Sequence, residues 1–101
     1  MNFMPPSKMN NLILSPHFLK AYKKYVRRFP FLKERIDESI NLLEMDIYHP
    51  KLQTHKLSGG LFGSMACSCG YDCRIVFKLI KDSANKDILL LITLGTHEDI
   101  Y

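Results

Sequence analysis

A chain of 101 residues, 47% hydrophobic and 24% charged, has the length of one domain and the balance of a soluble globular protein. No apolar run approaches the roughly 20 residues of a membrane span, and the N-terminus lacks the long apolar stretch of a signal peptide. A formal net charge of +4 favours a polyanionic partner, either nucleic acid or an acidic protein.

Residues 1–10, with Pro5-Pro6 among polar neighbours, read as a flexible leader. Leu12-Ile13-Leu14 suits a short first strand. Ser15-Pro16 is a helix-start signature: a capping hydroxyl, then proline where no amide donor is needed. From Pro16 to Arg28, Phe18, Leu19, Tyr22, Tyr25 and Val26 recur at helical spacing. Lys20, Lys23, Lys24 and Arg27 gather on another face. That stripe is either a solvated surface or a contact for phosphates or an acidic partner. Pro30 separates this helix from a second, Phe31 to Met45, which carries Leu32, Ile36, Ile40 and Leu43. So short a link predicts an antiparallel helical hairpin.

His49-Pro50 ends the helical section. Thr54 to Leu57 reads as extended and Ser58-Gly59-Gly60 as loop. Two strands follow, near Leu61–Ser68 and Tyr71–Ile80, meeting at a tight turn near Gly70. In the second, Tyr71, Cys73, Ile75, Phe77 and Leu79 share a core face. Asp72, Arg74, Val76 and Lys78 share the other, towards solvent or a ligand. Asp82 to Lys86 is a polar turn. Ile88 to Leu94 is apolar on both faces, as a central strand would be. The predicted fold is α+β: one two-layer domain over residues 1–101, its N-terminal helical hairpin packed on a mainly antiparallel four-stranded sheet.

Cys67, Cys69 and Cys73 are odd in number and crowded, poor material for a secreted disulfide framework and suited to a reducing cytoplasm. They read as small buried hydrophobes. C-x-C-x3-C is not a zinc spacing, and no second cluster completes four ligands. Neither metal nor cofactor is expected.

Of four histidines, only His55 and His97 lie in extended or loop segments flanked by glycine. Imidazole titrates near neutrality, so two of them can provide a general base and a general acid. Taken alone, each is more often a surface histidine than a catalyst, and spacing does not bring them together.

Three stretches, Pro50 to Gly59, Cys67 to Lys78 and Leu94 to Tyr101, resemble the RelE/ParE toxin superfamily, above all its RelE/StbE and YafQ-type mRNA interferases. The resemblance implies a RelE-like fold and a cytoplasmic toxin of a type II toxin–antitoxin pair. Such a toxin enters the ribosomal A site and cleaves mRNA. A cognate antitoxin with an acidic surface wraps it, and operator DNA is reached only through that complex. No membrane is involved. By the same resemblance His55, Asp72 and His97 are catalytic, with His97 the general acid or base. Arg74 is a phosphate ligand, and Tyr101 packs on or positions the substrate base. Glu98 and Asp99, beside His97, would suit it to the acid role. Ser68 and Thr93 stand where the YafQ branch has a further histidine and a second arginine, which leaves Lys56 and Lys78 as the substitute cations. The chemistry needs these types: the 2′-hydroxyl is the nucleophile, an acid–base pair moves the protons, and cations stabilise the phosphorane. Two other readings stand beside this one: a ParE-like toxin that inhibits DNA gyrase by binding, and a non-enzymatic autorepressor that uses the basic face of the first helix.

Overall fold

The computed structural model of the chain describes residues 11–59, 63–70 and 72–101. The leader, the start of the strand expected at Leu61, and Tyr71 lie outside them. The elements are β1 (Asn11–Leu14), α1 (Pro16–Arg28), α2 (Leu32–Met45), a 3-10 turn (Pro50–Leu52), β2 (His55–Lys56), β3 (Met65–Ser68), β4 (Arg74–Lys81), β5 (Asp87–Gly95) and α3 (His97–Ile100).

Ser15 joins the first strand to the first helix. Its hydroxyl accepts the Phe18 N–H at 3.0 Å and donates to the Ile92 carbonyl at 2.8 Å. Its own N–H continues the β1–β5 ladder to Leu91 at 3.0 Å. One side chain thus caps α1 and ties it to the sheet. Phe18 is buried, with Tyr22, Tyr25 and Val26 packed beside it, whereas Leu19 stays exposed at the margin of the stripe. Ile36 and Leu43 are the buried apolar residues of α2, and Ser39 and Glu44 are buried with them. Among the described residues no helix is long and apolar enough to cross a membrane.

The sheet has five strands in the order β1-β5-β4-β3-β2, with β1 parallel to β5 and the other pairs antiparallel. The expectation was four. The addition is His55–Lys56, whose two residues pair with Ala66 and Met65 at the edge. So short a run carries no periodicity of its own, and only the pairing makes it a strand.

Ile75, Phe77 and Leu79 face the helices as the alternation predicts, in a core with Cys67, Leu89, Leu91 and Leu94. Leu89 and Leu91 share parity along β5, but Leu94 does not. The register explains this: Val76 pairs with Thr93 and Phe77 with Leu91, so Ile92 is an extra residue. The bulge returns Leu94 to the core. It also places Ile92 with Leu57, Ala66, Val76 and Ile100 in a second, smaller cluster. Val76 is therefore not turned to solvent, as expected, but fully buried. The face expected to be bare carries an apolar seat on which α3 rests.

The hairpin also departs from expectation. The second strand begins at Arg74, not at residue 71, and Asp72 lies in the preceding turn with φ +53°. Cys69 and Cys73 close that turn as a disulfide with Cα atoms 5.0 Å apart. Across the same pair, the Cys69 N–H donates to the Cys73 carbonyl at 2.9 Å. Only Cys67 is a buried free thiol, as read from the sequence, and burial pushes its pKa up to about 12. The pairing follows from geometry: Cys67 points with Ile75 into the helix-side core, while Cys69 and Cys73 face each other beyond the last rung of the ladder.

Candidate active site

Three segments distant in sequence meet on the open face: β2, the β3–β4 turn, and the C-terminal arm that ends in α3. Directional bonds fix the arm. Thr96 and Asp99 form a reciprocal capping box, with the Asp99 carboxylate accepting the Thr96 N–H at 3.0 Å and the Thr96 hydroxyl accepting the Asp99 N–H at 3.2 Å. The Tyr25 phenol of α1 donates to the same carboxylate. These bonds, the phenol's first and the Thr96 amide's next, hold the Asp99 carboxyl below its ordinary range. Asp99 thus braces the arm. Gly95 leaves the room: a Cβ there would lie 2.8 Å from the Asp99 Cβ. From the turn, the Asp72 carboxylate accepts the His97 backbone N–H at 3.0 Å.

The arm delivers Tyr101 between the two histidines. The Tyr101 ring stacks against His55 at 5.7 Å between centroids, and the His97 ring lies 4.6 Å from it on a tilted approach. The two imidazoles can be no farther apart than those distances together. His55 Nδ1 is 3.1 Å from the Gln53 carbonyl, which can only accept, so that nitrogen carries the proton. In the neutral ring Nε2 then keeps its lone pair, and the Tyr101 hydroxyl lies within hydrogen-bond reach of it. Burial raises the Tyr101 pKa, opposed by the charge of Arg74. The phenol therefore stays protonated near neutrality, with a guanidinium within electrostatic reach. Arg74 is pinned by Nη1, which donates to the Cys73 carbonyl at 2.9 Å and to the Gly70 carbonyl at 3.4 Å.

No family model and no curated protein matches the sequence. Solved structures do. A copper-bound mutant toxin from Helicobacter pylori is 29% identical over 92% of this chain and 100% of that one, with a TM-score of 0.71. A YoeB/ParE toxin from Agrobacterium tumefaciens is 16% identical over 86% of this chain and 98% of its own, also at 0.71. The E. coli DinJ–YafQ toxin–antitoxin complex contains a chain 18% identical over 92% of this one and 98% of that one, again at 0.71. The chain has the fold of the RelE/ParE toxin superfamily.

Within that superfamily fold the expected residues divide into those brought together and those that are not. His55, His97 and Tyr101 converge, and Asp72 and Arg74 adjoin them. Asp72 and Arg74 do not form an ion pair with each other, since each is engaged elsewhere. Lys78 is half-buried on the open face, its ammonium near Gly63. Lys56 lies on the wrong side. It pairs with Met65, which pairs with Phe77, and residues opposite one another in antiparallel strands share a face. Lys56 therefore belongs to the helix side, contrary to expectation. Thr93 lines a groove with His17, Lys20 and Lys24 of α1.

Sequence reasoning missed Arg35 and Lys51. They come from α2 and the 3-10 turn and line a cleft of about 800 Å³ with Ser68, Asp72, Arg74 and His97. Nothing in their spacing marks them out from other surface cations. The capping box was missed although its signal, Thr96-x-x-Asp99, stands in the sequence.

Proposed function

We propose that this chain is the toxin of a type II toxin–antitoxin pair, a cytoplasmic endoribonuclease that cuts mRNA in the ribosomal A site. The observation that supports it is the grip of His55 and His97 on a single tyrosine beside a pinned arginine. In this reading the 2′-hydroxyl of the RNA attacks the adjacent phosphorus and the 5′-oxygen of the next nucleotide leaves. The lone pair on His55 Nε2 takes the 2′-hydroxyl proton, directly or through the Tyr101 phenol that occupies it. His97 gives a proton to the departing oxygen. Arg74 stabilises charge on the phosphorane with the N–H groups not used on the backbone. The Tyr101 ring stacks on a base flanking the cut. Asp72 keeps His97 in place through its backbone N–H, and Lys78 is a further cation on the same face.

The partners follow from the same reading. Superfamily relatives are seen in the YoeB–YefM complex from Staphylococcus aureus and in the DinJ–YafQ complex. A cognate antitoxin with an acidic surface would mask this site, and operator DNA would be bound only by the complex. Induction without antitoxin is expected to arrest growth, with primer extension on cellular mRNA giving discrete cuts. His97→Ala is expected to relieve both effects at equal protein level. Full toxicity of that variant would remove His97 from the mechanism. Intact mRNA with an SOS response would point instead to gyrase inhibition of the ParE type.

A further inference from the structure

The cleft beside the histidines is walled by cations that the scheme above leaves idle. Arg35 stands in the first turn of α2, and Lys51 in the 3-10 turn below it. Among the described residues Arg35 has no ion-pair partner. Its aliphatic stem runs along Gly70, where an added Cβ would be 3.7 to 3.9 Å from its Cβ, Cγ and Cδ. Gly70 has φ +122°, a conformation that suits glycine. Its carbonyl is also the one that accepts from Arg74. Two guanidinium-bearing side chains therefore converge on one residue of the turn, one held by its stem and the other by its head. A stem packed in this way leaves the guanidinium less freedom to lose when it binds.

The acids in the cleft do not fully neutralise it: Arg35, Lys51 and Arg74 face Glu38 and Asp72. Glu38 reaches Lys51 only at 4.0 Å, with both side chains exposed, and such a pair is worth little. The substitute cations expected from the sequence are elsewhere: Lys56 on the helix side, Lys78 near Gly63.

We infer that this cleft binds the RNA phosphate next to the one cleaved, with Arg35 as the main ligand and Lys51 as the second. The inference rests on the reading of RNA as substrate and names where its neighbouring phosphate goes. An RNA strand laid across His97 must place its flanking phosphates beside that residue, and His97 lines the cleft. An acidic peptide has no such requirement to end there. The site also supplies the cations that Ser68 and Thr93 do not provide.

The test uses the purified full chain and a mixed-sequence, single-stranded 2′-O-methyl RNA, which cannot be cut through its 2′-oxygen. Affinity is followed by fluorescence anisotropy over a range of salt. For single strands each phosphate contact contributes about 0.7 to the slope of log affinity against log salt. Arg35→Gln and Lys51→Gln are each expected to make the slope shallower by about 0.7, and Arg35→Lys to restore it. Lys81→Gln, at the far end of β4 and paired with Asp87, is expected to leave it unchanged. An unaltered slope in Arg35→Gln overturns the inference, as does absence of binding by the unsubstituted chain at low salt. So does an Arg35→Gln variant that loses a polyglutamate peptide but keeps the RNA, which would assign the cleft to an acidic protein. Because the RNA is uncleavable, slopes that move as expected in a chain that cuts no mRNA would sink the nuclease and leave the cleft standing.

Discussion

The two faces of the sheet use the same strands for different ends. Towards the helices, Ile75, Phe77, Leu89 and Leu91 are fully buried in one continuous apolar layer under α1 and α2. On the other face a small seat of Leu57, Ala66 and Val76 receives Ile100, and His55, Arg74, His97 and Tyr101 surround it. The first face stabilises by area removed from water, which has no direction. The second has little area to use. It holds α3 by hydrogen bonds from Asp72, Thr96, Asp99 and Tyr25, each modest in net energy but strict in geometry. Stability and site geometry are thus carried by different forces on opposite sides of one layer.

That division can be broken by substitution. Phe77→Ala, on the helix side, is expected to cost about 3–5 kcal/mol in urea unfolding and to abolish activity through loss of the fold. His97→Ala, on the open side, is expected to slow mRNA cutting by about 10²–10⁴. The same variant should keep its unfolding free energy within about 0.5 kcal/mol. A comparable loss of stability in both variants would mean that the two faces are not separate in function.

The Cys69–Cys73 clasp sits where the faces meet. Its five-residue loop is worth roughly 2 kcal/mol by the loop-entropy relation. A dithiol reductant is therefore expected to lower stability by about that amount and to loosen Asp72 from the His97 N–H, read as faster amide exchange at His97. Exchange at His97 that ignores reduction would show that the arm is held without the turn.

The smallest effect sharpens the comparison. Tyr25→Phe removes the phenol from the Asp99 carboxylate and should cost about 0.5–1.5 kcal/mol at neutral pH. The Asp99 pKa is depressed in the folded chain. Its contribution is therefore present above the unfolded carboxylate pKa and is lost as pH falls through the lower folded value. The gap in melting temperature between Tyr25→Phe and the unsubstituted chain should close as the pH drops through that window. A gap independent of pH would mean that the phenol acts by packing alone.

Local rules account for what could be read without coordinates. Ser15-Pro16 caps a helix because the hydroxyl and the missing amide act within one turn. The alternation from Cys73 to Leu79 separates a core face because Cβ atoms alternate along any strand. The resemblance in three short stretches pointed to His55, His97 and Tyr101, and the structure brings those residues together.

What escaped depends on contacts between segments remote in the chain. Lys56 took the wrong face because parity in a two-residue strand is set by its partner, Met65. Val76 became buried because α3 seats Ile100 on the open face, and Leu94 returned to the core because of a bulge visible only in the β4–β5 register. Which cysteines joined depended on where the ladder ended, and Arg35 reached Gly70, the residue that also binds Arg74, only because of how α2 sits on the hairpin turn. Periodicity and capping are properties of neighbours in sequence, so the chain alone determined them. Register, convergence and the walls of a cleft are properties of neighbours in space, and those were decided when the layers packed.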